Sequence, residues 1–132
     1  MKINRFLNLL PMFVIACLAL PASAADRMRP GQWVGTTVVG GRTIANSSCI
    51  SKGDADAMNG DAKEVKAYLE KVIPPSICKI TDVKADGGQV TYTASCGALP
   101  PKVITTSYHG DSSAGTDSTG SKTEAKLMGA CK

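Results

Sequence analysis

Apolar and polar positions follow three different patterns along this chain. Leu7 to Leu20 is an almost unbroken apolar run, interrupted by Asn8 and Pro11. From residue 34 onward the pattern alternates: Val34 to Val39 and Arg42 to Ile50 read as two strands. Gly40-Gly41 between them is a two-residue hairpin turn. Then the period lengthens. Ser51-Lys-Gly-Asp54 is a capping-box pattern and predicts a short helix through Met58, ended by Asn59-Gly60. Asp61-Ala-Lys-Glu64 repeats the pattern and opens a better helix. Val65, Tyr68, Leu69, Val72 and Ile73 recur there at helical spacing, with Lys63, Lys66, Glu70 and Lys71 facing out. Pro74-Pro75 stops it. The stripe is narrow and its polar face is mixed in sign. That predicts a helix covering a sheet, not one lying on a membrane.

Alternation returns from Cys78 to Cys96, around a second two-glycine turn at Gly87-Gly88 that allows positive φ at both positions. Across that turn Asp86 faces Gln89, Ala85 faces Val90 and Val83 faces Tyr92. The next apolar residue outward is Ile80, three back instead of two. A β-bulge near Thr81-Asp82 absorbs the extra residue. Ile80 then faces Ala94, and Cys78 faces Cys96 on the buried side. After the linker Gly97 to Pro101, Val103 to Tyr108 reads as a strand and His109-Gly110-Asp111 as a turn. Ser112 to Lys122 is weakly hydrophobic and reads as an exposed edge strand or a mobile loop. Its most strand-like part is Ala114 to Thr119. Glu124 to Met128 is a last short strand. The sum is a mainly β (α+β) fold: an antiparallel meander of six or seven strands. It forms a curved sheet or small open barrel, with one helical insertion at about 52–73.

The apolar run at the start changes how the rest is read. Lys2 and Arg5 precede it, and Ala22 and Ala24 stand where signal peptidase needs small residues. Residues 1–24 therefore read as a cleaved signal peptide, cut between Ala24 and Ala25. The run is 14 residues long, short of the roughly 18–20 that span a membrane. Val14-Ile15-Ala16-Cys17 offers a second route, lipidation of Cys17, which would anchor the protein to a membrane. Residues 25–132 form a single small disulfide-stapled β domain, expected in the periplasm. Cleavage leaves Cys49, Cys78, Cys96 and Cys131, an even set that reads as a disulfide framework. With Cys78–Cys96 set by the hairpin, Cys49–Cys131 follows by elimination.

Charge and composition then remove classes of function. Losing Lys2 and Arg5 takes the net charge from +4 to +2. The basic residues are scattered, so nucleic acid is not an expected partner. No Cys-x-x-Cys occurs and there is one histidine, so no metal site and no cofactor is expected. His109 sits at a predicted turn with no nucleophile elbow in the chain, and no catalytic residue is assigned. Asp54, Asp56 and Asp61 have some look of a calcium loop but lack its glycine and terminal glutamate. They read as helix-start acids. Trp33 reads as a core anchor, with a ligand-facing role as its rival.

Several of these pieces occur together in one known family. They are Arg29-Pro-Gly-Gln-Trp33, Cys49 leading into a short helix, and Cys78 to Tyr92 with a closing Cys96-Gly97. Tyr108-His-Gly-Asp111 and Leu127-Met-Gly-Ala-Cys131 complete the set. Over about residues 28–131 the chain resembles the bacterial envelope proteins grouped as domain of unknown function 3617. That family typically has glutamate after Pro-Gly-x-Trp, where this chain has Val34. The resemblance implies a place outside the cytoplasm and paired cysteines. It carries no assigned function, so no site residue is transferred. The expected function is a non-enzymatic periplasmic binding domain for an apolar small molecule or envelope component. The alternative is a structural or protein-interaction module of the envelope that uses an exposed edge strand.

Overall fold

Two glycines in the left-handed region, Gly40 at φ 54° and Gly41 at φ 78°, close the first hairpin. It joins β1 (Gly31–Val39) to β2 (Arg42–Ile50). These coordinates are a computed structural model, and they describe residues 26–132. Residues 1–24, read as a signal peptide, the Ala24–Ala25 junction and Cys17 lie outside the described residues. After β2 come α1 (Lys52–Met58) and α2 (Ala62–Val72), then β3 (Lys79–Asp86), β4 (Gln89–Ser95) and β5 (Lys102–Tyr108). β6 (Ser112–Asp117) and β7 (Lys122–Gly129) complete the chain. The seven strands make one antiparallel sheet in the order β2-β1-β7-β6-β5-β4-β3. β3 to β7 form a meander, and β7 returns to pair with β1. The sheet is open, with β2 and β3 at its edges.

The helices begin where the caps place them. Ser51 Oγ accepts from Asp54 N at 3.1 Å, and Asp61 Oδ1 accepts from Glu64 N at 2.9 Å. Each bond satisfies an amide that the first helical turn leaves without a partner. Val65 and Leu69 are buried as the stripe requires. Val72 is not: it is 52% exposed, because the cover ends before the helix does.

The second hairpin carries the bulge. Thr81 pairs with Thr93 and Lys84 with Thr91, so Asp82 and Val83 together oppose Tyr92. Asp82 takes the left-handed conformation, φ 53°. At the turn Gly87 has positive φ, 53°, and Gly88 does not, although glycine allows it at both positions. Beyond the bulge Ile80 faces Ala94, and the strand ends bring Cys78 to Cys96 with Cα atoms 4.1 Å apart. Cys49 and Cys131 are joined likewise, Cα atoms 5.5 Å apart.

One expectation fails here. Ala114 to Asp117 is neither an edge strand nor a loop, and Ser118 and Thr119 lie in the turn that follows. Ala114 pairs with Ser107 on one side and with Glu124 on the other, so β6 lies inside the sheet. Its weak hydrophobicity has another cause. The polar side chains of β6 lie on faces that the helices leave uncovered, and its backbone is satisfied by two neighbours.

The sheet buries one face against the helices. Met58, Val65 and Leu69 pack with Ile80, Val90 and Ala94 in the larger core cluster. Trp33, Ile50 and Ala55 form a smaller one. Met28 packs against both, and the segment that carries it is held from three sides. Asn59 Oδ1 accepts from the amides of Arg27 (2.7 Å) and Met28 (2.8 Å), and its Nδ2 donates to Met28 O at 2.9 Å. Gly110 N donates to Arg27 O, and Arg29 N donates to Gly110 O. Arg27 itself is 4% exposed. Its Nε donates to Gly87 O, and one terminal nitrogen donates to Met58 O and Gly60 O, at 2.6 to 2.9 Å.

Replacing Arg27 by Met should therefore cost about 2–4 kcal/mol, since three carbonyls lose a charged donor inside the fold. Asn59→Ala should cost about 2 kcal/mol by the same reasoning. Urea unfolding of each variant checks this, and a loss under about 0.5 kcal/mol would remove the clasp from the account. The disulfides should differ. Closing the separation of 82 residues is worth about 4.5 kcal/mol, and that of 18 about 3 kcal/mol. Cys131→Ser paired with Cys49→Ser should thus lower the unfolding midpoint more than the Cys78/Cys96 double serine variant.

Candidate functional site

Alternation places Thr37 and Val39 of β1, Tyr92 of β4, Ile104 and Thr106 of β5, and Thr123 of β7 on the same face as the core. The helices cover only part of that face. Beyond their cover, these side chains line an open cleft of about 370 Å³, completed by Lys102, Asp117 and Ser121. Gly115 of β6 also lines it. A side chain there would meet Thr106 Oγ1 at 2.9 Å, so the glycine keeps this part of the cleft clear.

The cleft is mixed in chemistry. Val39, Tyr92 and Ile104 supply apolar surface, and the threonines supply hydroxyls. Thr37 and Thr123 Oγ1 atoms are 3.1 Å apart, a hydrogen bond across β1 and β7. At one end Lys102 Nζ lies 4.0 Å from Asp117 Oδ2. Asp117 is committed to its own turn. Its Oδ1 accepts from Thr119 N (2.8 Å), Thr119 Oγ1 (2.5 Å) and Ser121 N (3.1 Å). These bonds, Thr119's first, hold its carboxyl below the usual range. Lys102 and Asp117 therefore form a long ion pair at this end, with the ammonium the more exposed partner.

Tyr92 belongs to a row of three tyrosines behind the cleft. Tyr68, Tyr92 and Tyr108 all pack against the larger cluster. Burial raises the pKa of each. Tyr108 is raised furthest: after burial, its tyrosine neighbours add to the rise, and Thr106 and Arg27 oppose it.

The other sequence candidates fall elsewhere. His109 is exposed on the turn between β5 and β6, and its backbone N donates to Ser112 O. Asp54 takes Lys71 Nζ at 2.7 Å, Asp56 takes Lys52 Nζ at 2.9 Å, and Asp61 is a helix cap. The three acids are thus spent separately. Among the described residues no three His, Cys, Asp or Glu side chains gather as a metal site. Trp33 is 3% exposed and donates from Nε1 to Arg29 O, a core anchor. Cys49, Cys131, Cys78 and Cys96 are consumed in the two bridges. Sequence reasoning passed over Lys102 and the threonines. The alternation that assigned faces also contained them, but nothing local said where the helical cover would stop.

An open antiparallel sheet, partly roofed by an inserted helix pair and stapled at two points, defines a small mainly β disulfide domain. Within that class the chain belongs to the family described as "Protein of unknown function (DUF3617)", whose model matches residues 28–131. No curated protein matches the chain, and no solved structure does. The disulfides are compatible with an exported protein, and among the described residues no helix is long and apolar enough to cross a membrane.

The tyrosines generate a pH prediction. Their folded pKa values lie above the unfolded value of about 10. Their contribution to stability is therefore complete below about pH 10 and lost as pH rises beyond it, because the unfolded chain releases protons that the fold retains. Thermal unfolding should show a decline above pH 10 that Tyr108→Phe reduces. Phenolate absorbance should rise at lower pH in denaturant than in the folded protein. Coincident titrations would contradict the burial of this row.

Proposed function

We propose that this is an exported, non-enzymatic binding domain of the bacterial periplasm that takes a small amphipathic molecule with an anionic head in the cleft. The observation that carries the reading is the partial roof. The protein's own Met58, Val65 and Leu69 fill the apolar half of the core-side face. What stays open pairs Val39, Tyr92 and Ile104 with hydroxyls and with Lys102. A wholly apolar ligand would take the threonine hydroxyls and the ammonium out of water and offer them nothing in exchange, which costs free energy. An amphiphile satisfies both halves. The cleft lies at the small end of the range for ligand pockets, roughly 300–1,000 Å³.

The signal peptide reading of residues 1–24 supports export, as do the paired cysteines. Cleavage after Ala24 leaves a free domain; lipidation at Cys17 would leave the same domain tethered to the membrane.

Decanoate titrated into the 15N-labelled domain should move the amide signals of Thr37, Ile104 and Thr123 and saturate. Lys102→Gln should weaken binding at least fivefold. Thr37→Trp, which fills the cleft, should abolish it while the fold is retained. Unmoved signals at millimolar decanoate would sink the amphiphile reading.

A further inference from the structure

The sheet has two edges, and the chain treats them differently. An exposed edge is a template for pairing, and proteins blunt it with bulges, charges or cover. β3 has all three. Its bulge sits at Asp82-Val83, it carries Lys79, Asp82, Lys84 and Asp86, and α2 packs against it. β2 has none. Its nine residues pair with β1 without a break in register. It has no proline, and its single charge is Arg42, next to the turn. Every residue from Arg42 to Cys49 is exposed.

The register says which backbone groups are free. Val39 and Arg42 flank a two-residue turn and so form a hydrogen-bonded pair. Ile44, Asn46 and Ser48 follow at intervals of two and spend their N–H and C=O groups on β1. Thr43, Ala45 and Ser47 turn theirs outward, where no strand of the described residues lies.

We infer that two copies of this chain join by antiparallel pairing of their β2 strands about a two-fold axis at Ala45. One continuous sheet then runs through both copies. Thr43 of one copy lies opposite Ser47 of the other, and each Arg42 lies opposite Ser48, so no like charges meet. The two Ile44 side chains, each 55% exposed in the single chain, become diagonal neighbours on the core side. Neighbouring registers are worse. An axis at Thr43 sets the two Arg42 side chains diagonally together. An axis at Ser47 sets Ala45 against the Cys49–Cys131 bridge on the same face.

Sedimentation equilibrium of the chain without residues 1–24 should show a monomer–dimer equilibrium. Ala45→Pro deletes an amide that donates only outward, so it should raise the dissociation constant at least about tenfold. Ala45→Lys sets two like charges on the axis and should also weaken pairing, with unfolding midpoints near wild type. In the wild type, hydrogen exchange at Thr43, Ala45 and Ser47 should slow as protein concentration rises. A monomer at every concentration, or a dimer that both variants leave intact, would overturn the inference. Neither variant touches the cleft, so decanoate binding reports separately.

Discussion

The fold depends on an arginine that has no carboxylate. Arg27 is buried, and its guanidinium reaches three carbonyls from two separate parts of the chain. Gly87 belongs to the turn of the second hairpin; Met58 and Gly60 belong to the end of α1. Only a group with several fixed donors can serve three such acceptors at once. Each carbonyl would otherwise lack a partner inside the fold, and a helix end buried without partners is costly. Asn59 completes the arrangement by presenting both ends of its amide to the Arg27-Met28 backbone. Met28 is thereby driven between the two core clusters. Without the clasp the helix pair, the hairpin turn and the first strand would share fewer fixed points.

That dependence explains the need for covalent staples elsewhere. A domain of this size has a thin margin from its core alone. Met58, Val65 and Val90 are the largest side chains that are almost fully enclosed. The clasp ties the entry of the chain to the helices. The Cys49–Cys131 bridge ties its exit to the end of β2, and Cys78–Cys96 closes the open end of the bulged hairpin. One staple thus holds the exposed β2 side of the sheet, and the other packs against the larger core cluster.

The sequence made local features readable, and distant ones not. The slip from Val83 to Ile80 was enough to place a bulge, because alternation has a strict period of two and an extra residue must go somewhere. Ser51 and Asp61 marked helix starts because capping is a contact over three residues. β6 was misread because its place depends on β7 pairing back along it, a partnership that leaves no trace in Ser112 to Asp117 themselves. Arg27 was read only as part of a scattered basic charge. Nothing near it in sequence signals that a hairpin turn and a helix end will converge on it. Lys102 was missed for the same reason: its role follows from where the helical roof stops.

The roof also sets what the open cleft is able to do. The helical insertion is short, so it covers one part of a sheet whose strands all present side chains to the same side. Extending it would have buried Ile104, Thr37 and Thr123 as well, and the threonines would then need partners within the core. Stopping where it does leaves them in contact with solvent. It also leaves Lys102 beside an Asp117 whose Oδ1 already holds its own turn. That ammonium keeps one long ion pair and stays partly exposed, and it stands next to apolar surface from Val39 and Ile104. The selectivity of the cleft thus follows from the length of the insertion more than from any single residue in it.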